Sequence, residues 1–206
     1  MEHALDGLVG AIIGALFGGW AVLRSAKKQH ENDKRLANLE RQRRIDGVLQ
    51  AIYYEIKILG EVYDDAAGKV LATIPDGGEC RVQFSLTQDY FIVYPANCEV
   101  IGQIDDDEKL VEVIINTYNI ANFLIEIYRI NTLLLENQIK IQTKITDNMP
   151  VTQSHAMWQA QVNQYSQYLR DSARDLKKYD AKLKGLSADL LSKIDAYRKK
   201  HGHLKA

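Results

Sequence analysis

The chain has 206 residues, with 26 Lys/Arg against 27 Asp/Glu and a formal net charge of −1, so its overall balance is not that of a nucleic-acid-binding polycation. Two cysteines without a Cys-x-x-Cys pair indicate neither a disulfide framework nor a zinc site. No glycine-rich phosphate loop, HExxH, nucleophile elbow or metal-ligand spacing occurs, so the sequence assigns no catalytic residue, no metal and no cofactor.

The first element is the uncharged stretch Gly7–Leu23, GLVGAIIGALFGGWAVL. As a helix it rises about 26 Å, a short span for a hydrocarbon core roughly 30 Å thick. A cleaved signal peptide would carry basic residues before its apolar core, whereas Glu2 and Asp6 precede this one. Trp20 sits where an interfacial aromatic belongs. On a helical wheel Ala4, Gly7, Gly10, Ala11, Gly14, Ala15, Gly18, Gly19 and Ala21 share one half of the circumference. Val9, Ile12, Ile13, Leu16, Phe17, Trp20 and Leu23 occupy the other half, and only Leu8 and Val22 break the segregation. Glycine in a helix interior costs about 1 kcal/mol relative to alanine, but in a bilayer it lets backbones approach closely. Gly7, Gly10, Ala11, Gly14, Ala15, Gly18 and Gly19 are therefore the expected self-association face. A face this broad can serve two neighbours at once, as in a head-to-tail ring.

Residues 24–44 form a basic stalk, with eight Lys/Arg against Glu31, Asp33 and Glu40. The positive-inside rule then places the N-terminus outside and the bulk of the protein in the cytoplasm. Arg24, Lys27, Lys28, Lys34 and Arg35 are expected against anionic headgroups, each contributing about 1 kcal/mol. The stalk has no interleaved aromatics, which argues against a nucleic-acid partner.

A 4-3 repeat begins at Ile45 and continues through Leu49, Ile52, Ile56, Leu59, Tyr63, Ala66 and Val70, predicting a helix that Pro75-Asp76-Gly77-Gly78 ends. A short connection of extended character follows (ECRVQFS), then a helix over Thr87–Ile104 that Pro95 either kinks or starts. Asp105, Asp106, Asp107 and Glu108 open the next helix, where acidic groups suit the positive end of the dipole; they lack the spacing of a calcium loop. Phe123–Leu135 (FLIEIYRINTLLL) is apolar on most sides, but Glu126 and Arg129 favour a central bundle helix over a second span. That helix ends near Asp147–Pro150. The last helix keeps 4-3 spacing through Trp158, Val162, Tyr165, Leu169, Ser172, Leu176, Tyr179, Leu183, Leu186, Leu190, Lys193 and Tyr197. The expected fold is all-α: a transmembrane anchor (1–23), the stalk (24–44) and an elongated antiparallel cytoplasmic bundle (45–206).

HEPN-type ribonucleases carry an Arg followed four to six residues later by a His, and Arg24/His30 and Arg198/His203 match that spacing. The Arg and His content makes such pairs expected by chance, and a fraying tail would hold Arg198 and His203 poorly, so no enzyme is inferred. With these degenerate pairs, the glycine-rich span, basic stalk and helical bundle resemble the small membrane-anchored, HEPN-like accessory proteins of Cas13b-type CRISPR systems. The stretch FIVYPANCEVIGQI also resembles a segment of bacterial membrane-anchored helical proteins. The resemblance implies an oligomeric pore in the bacterial inner membrane that strengthens anti-phage defence. The expected function is a self-assembling membrane effector. The alternative is an anchored scaffold that holds a cytosolic protein partner through the bundle, without a pore.

Overall fold

The computed structural model describes residues 2–84, 90–147 and 153–201, with side chains at Trp20, Val22, 24–84, 90–146 and 155–201. Regular structure among these residues is all helical: α1 Glu2–Tyr63, a π-helical turn Asp64–Gly68, α2 Lys69–Thr73, α3 Val93–Ala96, α4 Cys98–Ile101, α5 Glu108–Asp147 and α6 Gln153–His201. The chain divides into two units at Arg44/Ile45. In the first, Met1–Arg44, no described side chain is buried, and Trp20, Val22 and Leu36 are 58%, 67% and 55% exposed.

The second unit, Ile45–His203, is built on α5. The buried positions of α5 include Leu110, Ile114, Thr117, Ala121, Leu124, Tyr128, Asn131, Leu135 and Gln138, a regular 4-3 stripe with Tyr118 buried beside it. Three members are polar, and each is bonded in place. The Thr117 hydroxyl donates to the Val113 carbonyl, the Asn131 amide to Cys80 and Val82 carbonyls, and the Gln138 amide to Ser166. Such bonds offset the cost of burying these donors, while Asn131 Oδ1 is buried without a hydrogen-bond partner among the described residues. By length and composition Glu108–Thr146 could cross a membrane, and a third of its most apolar window is buried in the bundle.

Helix directions follow from the contacts. Lys200 pairs with Asp106 and Gln138 bonds Ser166, so α6 runs back along α5. Arg198 pairs with Asp46 and Lys184 with Asp64, so α6 is also antiparallel to α1. Glu55 meets Tyr118 and Tyr63 meets Tyr128, so α1 and α5 run in the same direction. Parallel neighbours need a long return connection, and residues 74–107 supply it. From Cys80, whose N–H bonds the Leu169 carbonyl, the chain passes Phe84 against Tyr63 and Tyr128. It then places Phe91 and Tyr94 on Tyr118 and buries Val100, Ile101 and Ile104 among Ile45, Leu49 and Leu110.

Three expectations are corrected. The 4-3 repeat of α1 places Ala66 and Val70 inside, yet Val70 is 49% exposed while Ala67 and Leu71 are 0% and 1% exposed. The π turn inserts one extra residue per turn at Asp64–Gly68, shifting the inward register by one position. The single helix expected over Thr87–Ile104 is instead two short ones, α3 and α4, broken at Asn97 (φ −128°, ψ 19°); Thr87 lies outside the described residues. Pro95 has no N–H to give a longer helix, and it sits in the first turn of α3, where none is needed. Asn97 ends α3 through its N–H to Tyr94 and begins α4 by accepting from Val100 and Ile101. Along α6, Val162, Leu169, Ser172, Leu176, Leu190 and Tyr197 are buried as expected, whereas Trp158, Tyr165, Tyr179, Leu183, Leu186 and Lys193 are half-buried. Ile194 rather than Lys193 fills the core between Leu190 and Tyr197.

Glu55 joins three segments. Its Oε1 accepts the backbone N–H groups of Ile92 (2.8 Å) and Val93 (3.0 Å), while its Oε2 accepts the Tyr118 hydroxyl.

Leu71→Ala should cost about 2–5 kcal/mol and Val70→Ala about 0.5, the reverse of what an uninterrupted α-helical register requires. Leu176→Ala should resemble Leu71→Ala, and exposed Lys178→Ala should be nearly silent. Glu55→Ala should cost about 2–4 kcal/mol because it removes the acceptor of three donors, two of them part-buried, and Glu55→Gln, which keeps an acceptor oxygen, should cost less. Urea unfolding monitored by circular dichroism tests each ranking.

Candidate functional site

The core of the second unit forms two clusters, one around Leu49, Ile114 and Ile194 and the other around Leu71, Tyr128 and Leu176. Between them, α1, α5 and α6 present Gly60, Ala121 and Ser187, and a cleft of about 290 Å³ opens there. Its walls are mainly apolar: Ile56 and Leu59 from α1, Leu124 from α5, Leu183 and Leu191 from α6, and Phe84 and Phe91 from the return connection. A Cβ placed on Gly60 would meet nothing within 4 Å, so the wall is open at that point.

One side of the cleft is polar, and the π turn positions it. The turn directs Asp64 towards α6, where Lys184 Nζ lies 2.9 Å from Asp64 Oδ1 and 3.2 Å from Asp180 Oδ1. Gly68 permits this, since a Cβ there would come within 2.3 Å of Asp64 Oδ1. Burial works against the Lys184 ammonium, but Asp64 and Asp180 outweigh it and hold the pKa above the usual lysine value. The Tyr63 and Tyr128 hydroxyls lie 3.5 Å apart on the same side. Burial raises the pKa of both phenols, that of Tyr128 to about 12, so both are neutral at physiological pH. Cys80 is buried outside the cleft lining, and burial pushes its thiol up as well. An apolar cavity beside neutral phenols and a lysine held by two carboxylates is suited to binding rather than to nucleophilic chemistry.

The structure places the sequence candidates elsewhere. Side chains of Gly7, Gly10, Ala11, Gly14, Ala15, Gly18 and Gly19 lie outside the described residues, although α1 is helical there. Arg24, Lys27, Lys28, Lys34 and Arg35 are exposed in the first unit, with the Arg24 guanidinium 5.2 Å from the Trp20 ring centre. His203 lies outside the described residues. Arg198, expected on a fraying tail, is instead held: α6 continues to His201, and Arg198 bonds Asp46 (2.7 Å) and Gln50 (3.3 Å). His201 lies 2.9 Å from Asp106 and packs on Tyr197. The acidic run is divided in use: Asp106 pairs with Lys200 and His201, whereas Asp107 caps α5 through the Leu110 N–H.

The cleft had no motif to announce it. The signals present were three small residues on three different helices and opposite charges at Asp64, Asp180 and Lys184; only the tertiary fold brings them together.

Raised phenol pKa values predict an alkaline limit. Tyr63, Tyr118 and Tyr128 keep their protons in the folded state above the ordinary tyrosine value, chiefly through burial. Above about pH 10 the unfolded chain releases those protons first, so unfolding becomes progressively favoured. The phenols' contribution to stability should be constant at neutral pH and fall between about pH 10 and 12. Tyr63→Phe or Tyr128→Phe should flatten that fall in thermal melts. No family model matches this chain, and no curated protein or solved structure matches it either.

Proposed function

We propose that the protein is a self-assembling, non-enzymatic, single-pass protein of the bacterial inner membrane. Its N-terminus is outside and its bundle cytoplasmic, and its assembly perturbs the bilayer. The observation that carries this reading is the segregation of small and bulky residues around Gly7–Leu23. The first unit adds support: its helix buries none of its described side chains, although Trp20, Val22 and Leu36 are apolar. A helix with no core of its own draws its stability from a bilayer or from further copies. The span contains no polar residue, so a ring of spans would enclose an apolar lumen that conducts only once wetted. The basic stalk would hold anionic headgroups. Anti-phage defence is the role that the architectural resemblance suggests.

A second reading, an anchored scaffold without a pore, is favoured by Phe123 and Ile130, one heptad apart on α5 and 46% and 45% exposed, which give the bundle an apolar strip for a protein partner.

Membrane potential in bacterial cells overexpressing the full chain distinguishes them. The parent should depolarise the membrane, and Gly14→Leu with Gly18→Leu should abolish the effect while leaving insertion intact. Ile13→Leu with Phe17→Leu, on the bulky face, should change little. Arg198→Ala and His203→Ala should leave depolarisation in place. Loss of function in the tail variants with retention in the span variants would refute the effector reading. Function that needs the span without any depolarisation would establish the scaffold.

A further inference from the structure

We infer that the cleft between the two core clusters is a binding site for a small, uncharged, largely aromatic or alicyclic molecule bearing one hydroxyl or N–H donor. The inference rests on the bundle alone and not on the membrane reading.

Size is the first argument. At about 290 Å³ the cleft is at the small end of the range for ligand pockets, roughly 300–1,000 Å³. It is far larger than the gaps left by ordinary packing defects. The cause is built in, because Gly60, Ala121 and Ser187 face a level where the flanking clusters carry tyrosine, leucine and isoleucine. Gly60 is exposed at the mouth of the cleft, and a Cβ there would meet nothing within 4 Å. Keeping a glycine where a larger side chain has room keeps the cleft open.

Charge is the second argument. The lysine at the cleft wall is already neutralised, since Lys184 lies between Asp64 and Asp180. At the lip, Lys57 and Glu61 are of opposite sign one helical turn apart. The polar side therefore carries a net charge of −1, which opposes an anionic ligand, and the lip cation Lys57 is exposed to solvent rather than held inside the cleft. A cationic ligand would compete with Lys184 for the same two carboxylates while losing its own hydration. A neutral donor meets neither penalty. It can bond a carboxylate lone pair while its rings cover Phe84, Phe91 and Leu124.

Three indoles of similar size and different charge test this: tryptophol (neutral), tryptamine (cationic) and indole-3-acetate (anionic). Titration calorimetry would use the full chain in lipid nanodiscs, with empty nanodiscs subtracted. Tryptophol should bind one site, about tenfold or more tighter than either charged indole. Gly60→Leu and Ala121→Leu should each weaken tryptophol by about tenfold with the melting temperature held or raised, because they fill space rather than create it. Asp64→Asn with Asp180→Asn removes both negative charges and should raise indole-3-acetate affinity towards that of tryptophol. The inference fails if tryptophol shows no saturable binding. It also fails if a charged indole binds as tightly to the parent, or if both filled variants bind like the parent.

Discussion

A carboxylate that accepts from two backbone amides and a phenol ties together parts of the chain that cannot otherwise meet. Glu55 holds Ile92 and Val93 of the return connection on one oxygen and Tyr118 of α5 on the other. The long connection is needed because α1 and α5 run parallel, and it would be a poorly supported loop without such a tether. Around Glu55, Phe91 and Tyr94 close on the Tyr118 ring with centroids 5.5 and 4.8 Å away. The same principle operates at the far end of the connection. There Asn131 donates to the carbonyls of Cys80 and Val82, and Cys80 N–H donates to Leu169. Two polar anchors thus fix an irregular segment whose backbone groups no regular element would satisfy.

Between those anchors the bundle leaves space. The π turn at Asp64–Gly68 has two consequences that belong together. It moves Ala67 and Leu71 into the core in place of Ala66 and Val70, and it turns Asp64 onto Lys184 at the wall of the cleft. A register shift and a polar wall therefore share one cause, an extra residue in one helical turn. Such turns often accompany functional sites, and here the link is geometric. The cleft lies beside the shift, with Gly60 on its α1 wall in the turn before the π turn.

The Arg198 and His201 region shows how burial can mislead a reading by sequence position. Both residues sit near the chain's end, where fraying is the usual expectation. Asp46, Gln50 and Asp106 hold them, and Tyr197 is buried beneath. These partners lie more than 90 residues away in sequence. The ion pairs there are partly exposed, so they position the helix end more than they stabilise it.

Periodicity alone determined much of the architecture. The all-helical class and the inward face of α6 from Val162 to Leu190 follow from apolar spacing, while near its end Ile194 takes the place expected for Lys193. The stripe of α5 was also present in the sequence, but Thr117, Asn131 and Gln138 concealed it. A polar side chain reads as outward until its partner is known, and those partners lie on the return connection and on α6. Only the tertiary structure decided the one-residue shift after Tyr63, the split of the expected 87–104 helix and the existence of the cleft. Each depends on contacts between residues far apart in the chain, such as Glu55 with Val93 and Asp64 with Lys184. Local spacing carries information about one face of one helix. It does not specify which groups on other elements will meet that face, and hydrogen-bond satisfaction and packing space are settled there.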